Sequence, residues 1–264
     1  MTAANSSVPE LSSRPATTGG GVRGALMFLF SIFWCSAWGI WCTIFGLLRA
    51  QWLTKLGIRC WSGGTMIASG VRVAVTRRAP LDAARSYVFL CNHQSAMDIP
   101  ILMQACFPDF NVRFFAKESL FRIPFMGWSL GATGFIPIRR ESPRHSAEIF
   151  KQMAKRRNAI PYSYIIFPEG TRSPDGRLQP FKKGSFGLAV RLGIPVVPVT
   201  LIDACRVNPK GSYKLRKGTV HVVFHEPIEV AGADEGGSRE DRDALLETVY
   251  AAVLSALPED QRPA

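Results

Sequence analysis

The chain has 264 residues, is 47% hydrophobic and carries 17 Phe and 6 Trp, enough for one large domain or two small ones with a sizeable core. Its net charge of +12 is unevenly placed: residues 111–160 hold ten Lys/Arg against three Asp/Glu, residues 172–218 hold ten against two, and residues 226–264 reverse this with three against ten. Six scattered cysteines without a C-x-x-C pair argue against a disulfide framework or a zinc site, while the basic midsection suits an anionic partner: nucleic acid, a phosphate-bearing substrate or a negative membrane surface.

Residues 1–23 are rich in Ser, Thr, Gly and Pro and are expected to be disordered. Residues 24–48 follow with 25 positions free of charge. At about 1.5 Å per residue such a helix crosses a hydrocarbon layer of roughly 30 Å. It exceeds the apolar core of a cleaved leader, about 7–15 residues. Arg14 and Arg23 precede it, whereas Arg49, Lys55, Arg59 and the basic domain follow, so the bulk of the chain is expected to face the cytoplasm. Residues 52–70 form a second, weaker apolar helix, so the pair also fits a re-entrant or interfacial anchor. Length does not separate these arrangements. Residues 24–70 are therefore read as a membrane-anchoring helical segment.

From residue 71 the pattern changes to short apolar runs: 71–75, 87–91, 112–116, 134–138, 163–167, 195–201 and 219–224. Helical stretches lie at about 99–107, 118–131, 143–157 and 183–193. Near-continuous apolar strands alternating with helices predict an α/β domain over 71–230, its mixed, largely parallel sheet flanked by helices. Residues 231–264 read as a linker and a last helix at 239–256, opened by the capping-box pattern Ser238-x-x-Asp241.

In such sheets ligands sit beyond the carboxyl ends of the strands. NHQSAMD (92–98) follows the strand ending at Cys91, Lys117 follows that of 112–116, Arg139 and Arg140 follow 134–138, and PEGTRS follows 163–167. His93 and Asp98 are five apart and cannot stack on one helix face. They meet if His93 lies in the turn leaving the strand and Asp98 in the first helical turn, where Pro100 is tolerated. A carboxylate on one imidazole nitrogen would fix the tautomer and free the other nitrogen to take a proton. The spacing equally allows Asp98 to cap the helix while His93 packs locally. Without a G-x-S-x-G elbow, Ser95 is a poor covalent nucleophile, and no Walker A pattern is present. His221 and His225 share one strand face, but lack a third metal ligand. Glu169-Gly170-Thr171-Arg172 offers a guanidinium fork, a hydroxyl and backbone donors to a phosphate, or is simply an exposed turn beside the turn-forming S-P-D-G of 173–176. Glu169 itself is expected to hold an arginine or an acceptor hydroxyl in place, with Lys182 and Lys183 adding charge nearby.

Together these residues resemble the glycerolipid acyltransferases, in particular the bacterial 1-acyl-glycerol-3-phosphate acyltransferase family. NHQSAMD fits N-H-x-x-x-x-D, KESLFRIPFMG (117–127) with GFIPIRR (134–140) is similar to the second block, FPEGTRS (167–173) to the third and IPVVPVT (194–200) to the fourth. Order and spacing match over about residues 24–230. The resemblance implies His93 as general base, Asp98 as its partner and Lys117 near the reacting centre. It implies Asn92, Arg139, Glu169, Gly170, Thr171 and Arg172 at the acceptor, lysophosphatidic acid. The acyl group would move directly to the glycerol hydroxyl from acyl-CoA or acyl carrier protein, with a membrane lipid as partner and no metal, bound cofactor or nucleic acid. Another lysolipid acceptor, such as lyso-ornithine lipid or a lysophospholipid, shares the same blocks, and a non-catalytic membrane-associated binding protein shares the fold.

Overall fold

The structure, a computed structural model, describes residues 22–139, 148–149, 153, 162–212, 215–230 and 238–263. Of the expected helix at 143–157 only residues 148, 149 and 153 are described, all helical, and residues 1–21 lie outside the described residues. Two long helices come first: α1 (Val22–Leu47) and α2 (Gln51–Ser69). Seven strands follow, β1 (Val71–Arg77), β2 (Val88–Cys91), β3 (Val112–Lys117), β4 (Ile136–Ile138), β5 (Ser163–Ile166), β6 (Val196–Ile202) and β7 (Gly218–Phe224). Between and after them lie α3 (Asp98–Cys106), α4 (Met126–Ala132), α5 (Gly184–Leu192), the short α6 (Ala204–Val207) and α7 (Arg239–Ala256).

The strands form one sheet in the order β1-β7-β6-β2-β5-β3-β4. From β6 to β4 every neighbouring pair is parallel, while β7 runs antiparallel to β6 and β1 parallel to β7. The sheet is thus mixed and mostly parallel, as the apolar runs predict. Alternation explains why those runs are unbroken. Phe89 and Cys91 face a core shared with Ile101 and Leu102 of α3 and with Phe114 and Val199. Val88 and Leu90 face the opposite core, with Phe186 and Leu188 of α5 and Val249 and Val253 of α7. Both faces of β2 are buried, so every residue in it is apolar. The capping box opening α7 forms as expected: Ser238 accepts from the Asp241 N–H at 3.0 Å, and Asp241 accepts from the Ser238 N–H at 3.0 Å.

Two expectations change. The helix predicted over 118–131 is broken: Glu118–Arg122 is a 3-10 turn and α4 starts at Met126. Pro124 cannot donate within a helix, Phe125 takes φ +60°, and a side chain at Gly127 would strike the Phe121 carbonyl. The second change concerns the membrane. Among the described residues no helix is long and apolar enough to cross one, so the transmembrane expectation for 24–48 finds no support. The segment instead pairs with α2 as an antiparallel hairpin. The Trp34 indole donates to the Trp61 carbonyl and that of Trp41 to the Leu53 carbonyl, each at 3.0 Å. The hairpin is docked onto the α/β domain, where a Cβ on Gly46 would lie 2.6 Å from the Ala132 carbonyl of α4.

Candidate active site

The site forms where β2, at the centre of the sheet, ends. As the chain leaves β2, the Asn92 side chain continues the β2–β6 ladder: its amide donates to the Leu201 carbonyl (2.9 Å) and accepts from the Leu201 N–H (2.7 Å). Asn92 is fully buried by this pairing. His93 comes next and is held on both sides of its backbone by the turn after β5. Its N–H donates to Glu169 Oε1 at 3.0 Å, and its carbonyl accepts from the Ser173 N–H at 2.8 Å. The imidazole lies flat on Phe167, with centroids 4.0 Å apart and planes at 17°.

Asp98 is the first residue of α3 and has no solvent exposure. Its Oδ2 lies 2.7 Å from His93 Nδ1 and also accepts the N–H groups of Gln94 (2.7 Å) and Ser95 (2.9 Å). The two readings of the spacing therefore coexist, since one carboxylate oxygen both closes the turn and faces the histidine. A carboxylate in this position assigns the proton to Nδ1. Nε2 has no hydrogen-bond partner among the described residues. Ser95 is buried, with its Oγ accepting from the Met97 N–H.

Glu169 is placed differently from its expected role. It is 3% exposed and grips the backbone of His93 rather than an arginine. Burial pushes its carboxyl up to about 8, the His93 N–H opposing this and the Asp98 charge reinforcing it. Glu169 Oε2 and Asp98 Oδ1 are both buried without a hydrogen-bond partner among the described residues.

The outer part of the same turn is open. Gly170 takes φ +72°, a backbone requirement that favours glycine, and the mobile end of Lys182 lies 2.9 Å from where a Cβ would sit. Thr171 is exposed and Arg172 half-buried, with no protein partner for the guanidinium among the described residues. Lys210, from the segment after α6, reaches across to the Arg172 carbonyl at 2.7 Å and to Thr171 Oγ1 at 3.5 Å. Lys117 ends β3 at the same edge of the sheet. Arg139, after β4, meets Glu118 in a bidentate pair of 2.6 and 2.9 Å.

Arg140 lies outside the described residues; the topology brings the other anticipated residues to one edge, and His93, Asp98, Glu169 and Ser173 into direct contact. Sequence reading missed Phe167, Ser173 and Lys210. Phe167 and Ser173 lie inside the FPEGTRS block but were given no role there, whereas Lys210 lies in a segment without pattern. Among the described residues no group of three or more His, Cys, Asp or Glu is placed to hold a metal. His225 is buried with Nε2 2.8 Å from Thr200 Oγ1.

An apolar cavity of about 510 Å³ runs between the helical hairpin and α3, lined by Trp34, Trp38, Trp61, Met97, Phe114 and Phe135 among others. A row of parallel rings joins it to the histidine: His93 on Phe167, Phe167 beside Phe114 (6.2 Å, 14°), and Phe114 beside Phe135 (6.0 Å, 6°).

With this geometry in place, comparison with known proteins is informative. The model of the Acyltransferase family matches residues 72–202, which carry all four blocks of the resemblance. A 1-acyl-sn-glycerol-3-phosphate acyltransferase of Saccharomyces cerevisiae is 31% identical over 237 residues, 85% of this chain and 76% of that protein. A chloroplastic 1-acyl-sn-glycerol-3-phosphate acyltransferase of Brassica napus is 40% identical over 150 residues, 56% of this chain and 42% of that protein. The chain spans 40–55% of the length of several such plant relatives. The crystal structure of the 1-acyl-sn-glycerophosphate acyltransferase PlsC from Thermotoga maritima superposes with a TM-score of 0.70 at 28% identity, covering 88% of this chain and 93% of that one. The chain belongs to the acyltransferase family, within its 1-acyl-sn-glycerol-3-phosphate acyltransferase branch.

Proposed function

We propose that this protein moves a fatty acyl group from a thioester to the free hydroxyl of 1-acyl-glycerol-3-phosphate, giving phosphatidic acid. The observation that carries the reading is the His93–Asp98 contact of 2.7 Å, with Nε2 left open beside a cationic, glycine-centred turn. Nε2 takes the hydroxyl proton as the oxygen attacks the thioester carbonyl. Asp98 holds the tautomer and stabilises the imidazolium. The tetrahedral intermediate collapses with loss of the thiolate, which receives the proton from His93. The thioester is already activated, so no acyl-enzyme is required. Lys117 supplies positive charge near the developing oxyanion.

Gly170, Thr171 and Arg172 hold the acceptor phosphate in this reading, with Lys210 and Arg139 at its sides. Asn92 and Glu169 act from beneath, through the backbone of the His93 turn. The cavity beside α3 takes an acyl chain. The donor is acyl-CoA or acyl carrier protein as co-substrate, and the reading assigns no metal or bound cofactor. The hairpin exposes Leu29, Phe33, Leu47, Leu48, Trp52 and Ile67, each more than 60% accessible. Such a surface favours a seat on the membrane face. In this reading the seat is on the cytoplasmic side of the inner membrane, where both lysolipid and donor are within reach and where the basic residues of the domain meet an anionic lipid surface.

The test is incubation of purified protein with labelled acyl-CoA and a panel of lysolipids, followed by product identification. Phosphatidic acid from lysophosphatidic acid, and much less product from monoacylglycerol, is the expected result. A product from lyso-ornithine lipid or a lysophospholipid alone would keep the chemistry and replace the acceptor. No acyl transfer to any member of the panel would overturn the reading.

A further inference from the structure

Gln261 stands 167 residues from Gln94 in sequence, yet the two side chains touch. It ends a one-turn 3-10 segment, Glu259–Gln261, just after α7. Glu259 and Asp260 are exposed there, whereas Gln261 is 2% exposed. Its side chain enters between two loops and is bonded at both ends. Oε1 accepts from Gln94 Nε2 at 2.8 Å and from the Asp203 N–H at 3.3 Å, while Nε2 donates to Asp203 Oδ1 at 2.5 Å. Its backbone carbonyl accepts from the Leu178 N–H at 2.9 Å. Gln94 is equally committed. Its Nε2 also donates to the Gly176 carbonyl (2.9 Å), and its Oε1 accepts from the Ala204 N–H (3.1 Å).

These contacts span the loops after β2, β5 and β6, which are the loops that make the site. Gln94 is also the residue between His93 and Ser95 whose N–H donates to Asp98 Oδ2. A plain closure of the fold needs only apolar contact, which Leu257 already makes at 2% exposure. A buried polar chain with every amide satisfied instead fixes direction and spacing. We infer that Gln261 is a positioning residue for acyl transfer: through Gln94 and Asp203 it holds the turn that aims Asp98 at His93. The inference rests on the reading of His93 as base given above.

The experiment measures kcat, KM for acyl-CoA and Tm for five proteins: wild type, Gln261→Ala, Gln261→Glu, the double variant Gln261→Glu/Asp203→Asn, and Val249→Ala. Val249 is a fully buried core residue of α7, outside the network. Gln261→Ala is expected to lower kcat by about 10–100-fold, as misplacement of a catalytic group by up to about 1 Å does, with KM for acyl-CoA changed by less than about twofold. Gln261→Glu sets a carboxylate against Asp203 and loses similarly. Adding Asp203→Asn exchanges donor for acceptor across that contact, and kcat should recover. Val249→Ala should lower Tm with kcat near wild type. Should Gln261→Ala fail to fold, the single and double Glu variants decide between them. The inference is overturned if kcat tracks Tm across all variants, if the double variant is no better than Gln261→Glu, or if Gln261→Ala keeps wild-type kcat. A wild-type protein active on lysolipid, with variants graded only by Tm, removes this inference and leaves the proposed function standing. An inactive wild type removes both.

Discussion

The turn carrying His93 and the turn carrying Arg172 are hydrogen-bonded to each other, yet they are built on opposite principles. In the first, residues 92–95 and Asp98 are buried, and the imidazole Nδ1 and both backbone groups of His93 are each held by a named partner. In the second, Thr171 is exposed and, among the described residues, the Arg172 guanidinium has no protein partner and Lys210 reaches only a carbonyl and a hydroxyl. Proton transfer needs one geometry held without reorganisation. Capture of a phosphate needs charge that remains hydrated and free to close on its ligand. The contrast teaches that rigidity and charge are separated here by a few residues of one loop, with Glu169 facing inward and Arg172 outward.

The largest effect should come from breaking the rigid side. His93→Ala is expected to lower kcat by about 10²–10⁴-fold while circular dichroism and Tm stay close to wild type. A folded variant with near-normal kcat would sink the mechanism. On the open side the effect should be smaller and fall on binding. Arg172→Ala should raise KM for lysophosphatidic acid by about 10–100-fold, the value of a charged hydrogen bond, with Arg172→Lys intermediate because the planar fork is lost. Lys210→Met should raise the same KM less, and both effects should shrink as salt is added. Steady-state kinetics with acceptor and donor varied separately would show a misassigned turn as a change confined to the donor KM.

The smallest effects concern pH, and two buried groups give opposite signs. Burial raises the Glu169 carboxyl from its ordinary 4.5 to about 8, so the folded state holds this proton more tightly than the unfolded one. Its contribution is present below about pH 4.5 and is lost as pH rises toward 8. Burial, aided by Arg78, lowers the His225 imidazole from 6.5 to about 4. The folded state then favours the neutral ring, and that contribution is present above about pH 6.5 and lost as pH falls toward 4. Glu169→Gln should flatten the fall of Tm between pH 5 and 8, and His225→Asn the fall on the acid side. Thermal melts across that range would expose an error if either variant kept the wild-type slope.

Much of this was legible because burial writes itself into composition. Strands buried on both faces read as unbroken apolar runs, and β1 to β7 all lie within or beside the expected spans. The rim followed from those spans, since parallel strands deliver the residues after them to one edge. What stayed hidden depends on contacts without a local pattern. Glu169 is a carboxylate in a polar motif, and nothing in EGTR says that it turns inward to a backbone N–H. Gln261 is one glutamine in an acidic tail. The hairpin was partly readable. Gly39 and Gly46, and Gly57 and Gly64, are each seven apart, about two helical turns, and all four meet another element within 3.0 Å of an added Cβ. That spacing signals close packing of a helix against protein, where the length of the uncharged run signals only apolarity.

The contact between Gln94 and Gln261 also has a consequence in time. A ribosome adding about 5–20 residues per second needs roughly 8–33 s to pass from one of these residues to the other, which are 167 positions apart. The two apolar helices are made before the earlier of them. During synthesis, therefore, the hairpin is complete for many seconds while the turn that carries the histidine still lacks its distant brace.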